Sequence, residues 1–415
     1  MGTTASVTNW AGNIVFGAGS FHRPDSVPQL QELVAGSDRI RALGSGHSFS
    51  PIADTTGDLV SLAGLPKIAR IDPDAATVTV SAGARYGEVT GILTAAGFAL
   101  PNLGSLPHIS IAGACSTGTH GSGDGNGTLA TAVSAIELVG ADGELRTVRR
   151  GDAEFAGSLV ALGALGIVTT LTLDLRPAFD LRQWVYEGLR GFDDVPAVLA
   201  AAYSVSLFTY WAGEGFEQVW IKQRATDPAP ALRWFGSTRA DSPLHMVRGV
   251  DPRHCTPQLG VVGPWNERLP HFRLEFTPSS GEELQSEYLL PRGSLVDALR
   301  ALDRIRDTIA PVLQVCEIRS IAADDLWLSL AHERDSAAVH FTWVADTAAV
   351  LPVMAAVEAV LEPFGARPHW GKVFAIEPDA VRALWPRLPD TERLLRRHDP
   401  AGKFRNAMVD RYLPA

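Results

Sequence analysis

Apolar and polar positions alternate with period two in several short runs of the first 176 residues, and glycine turns separate the runs. The pattern predicts strands at 38–43 (DRIRAL), 59–62 (LVSL), 67–72 (KIARID), 76–83 (ATVTVSAG) and 166–177 (GIVTTLTLDLRP). A hairpin is predicted over 134–148, where Asp142-Gly143 supplies a tight turn. Between 85 and 96 the period becomes helical: Tyr86, Val89, Leu93 and Ala96 share a face, and Gly97 suits the C-terminal cap. Past 177 the pattern predicts a hairpin over 205–223 around Gly213-Glu214-Gly215. A proline-rich, aperiodic stretch over 225–268 reads as a surface excursion or lid. Strands are then expected at 271–276 (HFRLEF) and 286–291 (SEYLLP), and a helix from Leu295 to Ile309. Strands at 313–320 (LQVCEIRS) and 338–344 (AVHFTWV), a helix near 351–362 and a last strand at 369–374 (HWGKVF) complete an α+β chain without internal repeats.

Composition narrows the function classes. With 415 residues, 46% hydrophobic and only 20% charged, the chain can bury the cores of two or three domains, which excludes disorder, collagen and coiled coil. A net charge of -10 argues against a phosphate-backbone binder, so no nucleic-acid partner is expected. Cys115, Cys255 and Cys316 are far apart and form no CxxC, which disfavours a disulfide framework and a thiolate zinc site. The start, MGTTASVTNWAGN, lacks the signature of a secretory signal, and no uncharged apolar run reaches the ~18 residues of a membrane span. A soluble, cytoplasmic monomer with no membrane partner is the expectation.

Three segments could carry chemistry. In RALGSGHSFSP (41–51) closely spaced glycines let backbone N–H groups converge on an anion, with His47 held beside them. The segment is neither a P-loop nor a Rossmann turn, since no GK[ST] or GxGxxG is present and Pro51 stands where a helix would begin. Read alone, the motif fits His47 better as a loop histidine making one hydrogen bond. The second segment, NLGSLPHISIAGACSTGTHGSGDGNGT (102–128), is glycine- and hydroxyl-rich around an apolar IxIAG. Two such loops in one unit suit a long ligand with a pyrophosphate, a dinucleotide more than a single phosphate.

The third constellation rests on strand periodicity. Glu317 and Arg319 share one face of CEIRS, and His340 and Thr342 share one face of HFTW, each within otherwise apolar runs. Buried together, these groups must satisfy each other or a ligand. The alternative is an ion pair on a solvated sheet face. Of 36 Lys and Arg residues only four are lysines, so Lys372 inside the aromatic HWGKVF stands out and favours a polar, polyol-sized pocket.

Taken together, RALGSGHSFSPIA, SLPHISIAGACSTGTHGSG, GALGIVT, CEIRS, HFTW, RPHWGK and DPAGKFRN resemble the alditol oxidases, vanillyl-alcohol-oxidase-type flavoproteins of the sugar-1,4-lactone oxidase branch. The resemblance runs through nearly the whole chain. It implies a two-part FAD-binding domain over 1–176, a substrate domain with an antiparallel sheet over 177–370, and a segment 371–415 returning to the FAD domain. His47 matches the histidine linked covalently to the flavin 8α-methyl. Ala42, Leu43, Gly44, Ser45, Gly46 and Ser48, with Ser105, Ser110, Gly113, Thr117, Gly118, Thr119 and His120, match residues around the pyrophosphate and ribityl chain. Ile167 matches an adenine-side backbone contact, and His369 a flavin contact.

On the same resemblance Ser105, Glu317, Arg319, Thr342 and Lys372 bind polyol hydroxyls, with His340 close by. Arg319 and Lys372 polarise the reacting oxygen, and the base is His340 or Lys372. Gly104 leaves room for O2 at the flavin edge. The implied reaction is oxidation of a terminal primary alcohol of xylitol or sorbitol to the aldose, with O2 reduced to hydrogen peroxide and no metal. An aldonolactone oxidase or dehydrogenase is the near rival. A flavin-free sugar-binding protein is the distant one, and it leaves His47 without a role.

Overall fold

The structure is a computed structural model that describes residues 7–276 and 282–414. The N-terminal half contains two sheets, as the glycine-punctuated runs predict. Strands β1 (Ser20–His22), β2 (Ile40–Leu43) and β3 (Asp58–Ser61) make a parallel sheet in the order β1-β3-β2. Strands β4 (Ala69–Asp72), β5 (Thr77–Ser81), β6 (Val133–Val139), β7 (Leu145–Arg149) and β8 (Ile167–Asp174) make an antiparallel one, ordered β4-β5-β8-β6-β7. In β8 buried and half-buried residues alternate without a break, so Ile167, Thr169, Leu171 and Leu173 point inward. Helix α1 (Val27–Gly36) and helix α2 (Tyr86–Ala95) add Leu30, Val34, Tyr86, Val89 and Leu93 to the same core.

The second half is built on one large antiparallel sheet. Its long strands are β9 (Asp180–Arg190), β10 (Ser204–Thr209), β11 (Gly215–Arg224), β12 (Glu283–Pro291), β13 (Leu313–Ile321) and β14 (Ser336–Val344). They lie in the order β9-β11-β10-β13-β14-β12, with short strands at the edges. Helices α3 (Leu295–Asp303) and α4 (Thr347–Leu361) cover one face, packing Leu295, Leu299, Leu302, Val350, Met354 and Val357 on Cys316, Ile318, Val339, Phe341 and Trp343. Those sheet residues alternate along their strands with Glu317, Arg319, His340 and Thr342, which the strand period therefore places on the opposite face. The stretch Thr347–Phe364 has a mean hydropathy of 1.5, enough for a bilayer span by length and composition, while α4 buries Val350, Met354, Val357 and Leu361.

Four expectations require correction or refinement. HFRLEF is not a ladder strand: its one pairing is a bridge from Phe272 to Cys255. HWGKVF is not a strand either. The edge strand stops at Arg367–Pro368, and the chain turns through Lys372 N–H donating to His369 O at 2.9 Å. Phe49 N–H donates to Gly371 O at 2.8 Å, so this turn is where the C-terminal segment meets the first glycine loop. The expected helix from Leu295 to Ile309 is interrupted at Ile305, whose φ of -113° is non-helical. The excursion 225–268 is more than surface: Met246 and Cys255 are buried in a small core with Phe208 and Trp220, and Trp265 is buried in the first core.

The C-terminal segment packs on the N-terminal unit. Buried Arg41 donates to Phe404 O and Leu162 O, both at 2.7 Å, while Asn406 donates to Pro51 O and Asp54 O at 3.0 and 2.9 Å. The three cysteines are buried and free.

Candidate active site

A cavity of about 630 Å³ runs from the glycine loops to the open face of the large sheet. At the loop end the two glycine-rich segments are tied to each other. Ser45 N–H donates to Ser110 Oγ at 3.2 Å, and Ser110 N–H donates to Ser45 Oγ at 3.1 Å. Gly46 has φ +70°, a conformation that favours glycine. Its carbonyl accepts from Trp10 N–H at 2.8 Å, and the Trp10 ring stacks on the His47 imidazole at 5.0 Å. His47 Nδ1 bonds Ser45 O at 3.1 Å, which leaves Nε2 buried without a partner. Burial lowers the pKa of His47 to about 4, so the ring is neutral.

These residues fit the flavin that the resemblance implies. The orphaned Nε2 of His47 is a free nucleophilic nitrogen in the cavity wall. A Cβ built on Gly44 would lie 2.3 Å from Ser110 Oγ, and one on Gly113 would lie 2.8 Å from the same atom, so both glycines keep backbone bare beside the space. Ala42, Leu43, Ser45, Gly46, Ser48, Gly104, Ser105, Ser110, Thr117, Thr119, His120 and His369 also line it. Gly118 and Ile167 stand outside the wall. Gly118, at φ +71°, faces Leu330 and Val160, and Ile167 is fully buried at the start of β8.

At the sheet end, register assembles the polar groups. Glu287 pairs with His340 across β12 and β14, and His340 pairs with Glu317 across β14 and β13. Cross-strand partners share a face, so two carboxylates flank one imidazole in a single row. Arg319 donates to Glu287 Oε1, while His120 Nε2, His340 Nδ1 and Lys372 Nζ lie 3.3, 3.7 and 3.8 Å from the Glu287 carboxylate. Burial alone would raise the pKa of Glu287, but Arg319, His120, His340 and Lys372 outweigh it and hold it well below the usual range. Glu317 behaves alike: burial opposes ionisation, and Arg319, His271 and His340 impose it.

His340 Nδ1 lies 3.5 Å from Arg319 and 3.4 Å from Lys372 Nζ, both donors, so it is the acceptor nitrogen and Nε2 carries the proton toward Thr342 Oγ1 at 3.3 Å. Burial lowers its pKa to about 4. Lys372 donates to Gln285 Oε1, and burial lowers its pKa to about 8 against the pull of Glu287. Arg319 Nε is buried without a hydrogen-bond partner, 3.7 Å from Glu317 Oε2. A hydroxyl set between them would accept from one and donate to the other.

The predicted pairs Glu317/Arg319 and His340/Thr342 thus meet on one buried face, with Lys372 reaching it from the turn after Arg367–Pro368. Glu287, His271 and Gln285 were not singled out from the sequence. The signal for Glu287 was present, an acidic residue within the apolar run LQSEYLL, legible by the period-two argument that marked Glu317.

A cavity lined by two glycine-rich loops thus opens onto a charged sheet face. Residues 20–149 match the FAD binding domain family and residues 281–412 match D-arabinono-1,4-lactone oxidase. The chain is 52% identical to an alditol oxidase from a Streptomyces species over 98% of both chains. It is 27% identical to an L-gulono-1,4-lactone dehydrogenase of Mycobacterium tuberculosis, again over 98% of each. The solved structure of a cholesterol oxidase from B. sterolicum superposes with a TM-score of 0.79 at 15% identity, covering 99% of this chain and 96% of that one, a likeness of fold. The chain belongs to the alditol oxidase family of FAD-dependent flavoproteins.

Proposed function

We propose that the chain oxidises the terminal primary alcohol of an open-chain polyol such as xylitol or sorbitol, using FAD held covalently through His47. The observation that carries this reading is Arg319 Nε, ion-paired with Glu317 Oε2 at 3.7 Å but without a hydrogen-bond partner, on a buried face where further donors and acceptors lie within reach. A polyol has an oxygen on every carbon, which suits a wall where Ser105, Glu317, Arg319, Thr342 and Lys372 stand together.

Arg319 stays protonated, because Glu317 and Glu287 offset the cost of its burial, and it donates to the reacting oxygen. Lys372, with a pKa of about 8, exists partly as the free amine near neutrality and accepts the hydroxyl proton. His340 is a poorer base, since its pKa of about 4 lies well below neutrality and its Nδ1 already faces the Arg319 guanidinium. FAD held between the two glycine loops and His47 would supply a hydride acceptor for C1, with O2 as the final oxidant, so that the products would be the aldose and hydrogen peroxide. A Cβ on Gly104 would make ordinary van der Waals contact with Ile109 at 3.6 Å, so the glycine leaves only a methyl-sized gap in the wall, the space the resemblance assigns to O2. Three free buried cysteines suit the reducing cytoplasm.

A lactone reading is favoured by one observation, the family match over 281–412, which spans the strands carrying Glu287, Glu317 and His340. Peroxide release from xylitol, sorbitol and two aldono-1,4-lactones separates the two. Turnover of polyols with aldose as product supports the proposal, and turnover of lactones alone overturns it.

A further inference from the structure

Lys222 is one of only four lysines, and none of the chemistry above uses it. It is 1% exposed on β11, and its ammonium has three acceptors: Leu269 O, Pro270 O at 3.1 Å and His271 Nδ1 at 3.1 Å. All three of its protons are therefore placed. A nitrogen that accepts from an ammonium cannot carry its own proton, so a neutral His271 is protonated at Nε2. That Nε2 lies 2.8 Å from Glu317 Oε1. Burial, with the nearby Lys222 charge, lowers the pKa of His271 to about 4 and keeps the ring neutral.

The imidazole has little freedom to turn. Phe208 and Trp220 meet it edge to face at 5.7 and 5.2 Å, and its backbone N–H donates to Ser105 O at 3.0 Å. One residue thus ties the Glu317 carboxylate to the Ser105 segment on the opposite wall. With Oε1 taken by His271, only Oε2 remains, the oxygen beside Arg319 Nε.

We propose that Lys222 and His271 are positioning residues for substrate recognition: the ammonium fixes the His271 tautomer, and His271 holds Glu317 so that Oε2 faces the polyol. The proposal rests on the reading of Glu317 as a hydroxyl acceptor. The charged and titratable groups facing the pair are Glu317 and Arg319 from β13, and Cys255 from the excursion. Burial lowers the pKa of Lys222 to about 7 against the pull of Glu317, and where it loses its proton His271 is free to adopt the other tautomer, whose bare Nε2 repels the carboxylate it anchors.

The test uses the flavin-loaded enzyme with xylitol. Lys222→Met is expected to raise KM about tenfold or more with kcat little changed, because a charge-assisted orientation of the binding carboxylate is lost. His271→Leu is expected to do the same. His271→Gln, whose amide can accept from Lys222 and donate to Glu317, is expected to keep KM within about threefold of wild type. A filler role would make the leucine and glutamine variants alike, and that result overturns the proposal. So does an unchanged KM in Lys222→Met when Glu317→Gln raises KM. If Glu317→Gln leaves KM unchanged, the polyol reading of Glu317 fails instead. Should Lys222→Met not fold, the imidazole 15N shifts of His271 in the wild-type enzyme, assigned by difference from His271→Gln, decide the tautomer: a protonated Nε2 supports the relay and a protonated Nδ1 overturns it.

Discussion

Arg319 donates to the carboxylate of Glu287 across the intervening strand β14, and the two side chains are 7% and 1% exposed. The pair is the electrostatic centre of the sheet face, because Glu287 also balances Lys372 and His120. Removing one member of such a buried pair leaves the others uncompensated.

Glu287→Gln is therefore expected to destabilise the protein by about 3 kcal/mol or more and lower its thermal midpoint by several degrees. The sign with pH follows from the depressed pKa. The stabilisation is present above the ordinary glutamate value of 4.5 and is lost as pH falls below it toward the folded-state value. Thermal melts of wild type and Glu287→Gln between neutral and acid pH check this: the gap between them narrows on acidification.

Lys372 must be unprotonated to accept a proton, so kcat/KM is expected to rise with pH through about 8 and then level off. Lys372→Arg places a permanent cation there and is expected to lower kcat by about 100-fold or more. Steady-state pH profiles of both enzymes measure it. An unchanged wild-type-like profile in the arginine variant would remove Lys372 from the role.

The free Nε2 of His47 leads to a further expectation. The wild-type band on a denaturing gel is expected to fluoresce as flavin, whereas His47→Ala is expected to give a dark band and keep only dissociable cofactor. Acid precipitation then shows whether the flavin stays with the protein or leaves with the supernatant. A fluorescent His47→Ala band would assign the link to another residue.

Gly44→Ala introduces a methyl 2.3 Å from Ser110 Oγ. Rotating the serine away breaks the bond its Oγ accepts from Ser45 N–H, so that tie between the loops is lost or the methyl must enter the cavity. Lower flavin content is expected, read as the ratio of flavin to protein absorbance in the purified enzyme, with little change in secondary structure by circular dichroism.

Local pattern alone determined much of this protein. Alternation located most of the long strands but not β9, the longest, while the Ala42–Ser48 loop, with His47 in it, was marked by glycine spacing. The polar pairs Glu317/Arg319 and His340/Thr342 were legible because a strand has period two, whatever lies beside it. Periodicity misled where the chain follows a neighbour's edge: HWGKVF looks like a strand, yet its backbone turns to bond Phe49 and residues of β12. Only the tertiary structure decided which strands lie next to β14. Register aligned Glu287 with His340 and Glu317, and the packing of residues 269–271 against β11 brought Lys222 to His271 across a sequence gap that no spacing rule spans. Side-chain direction is a local property of the backbone, whereas the partner a buried charge meets is set by strand order and loop packing, which depend on the whole chain.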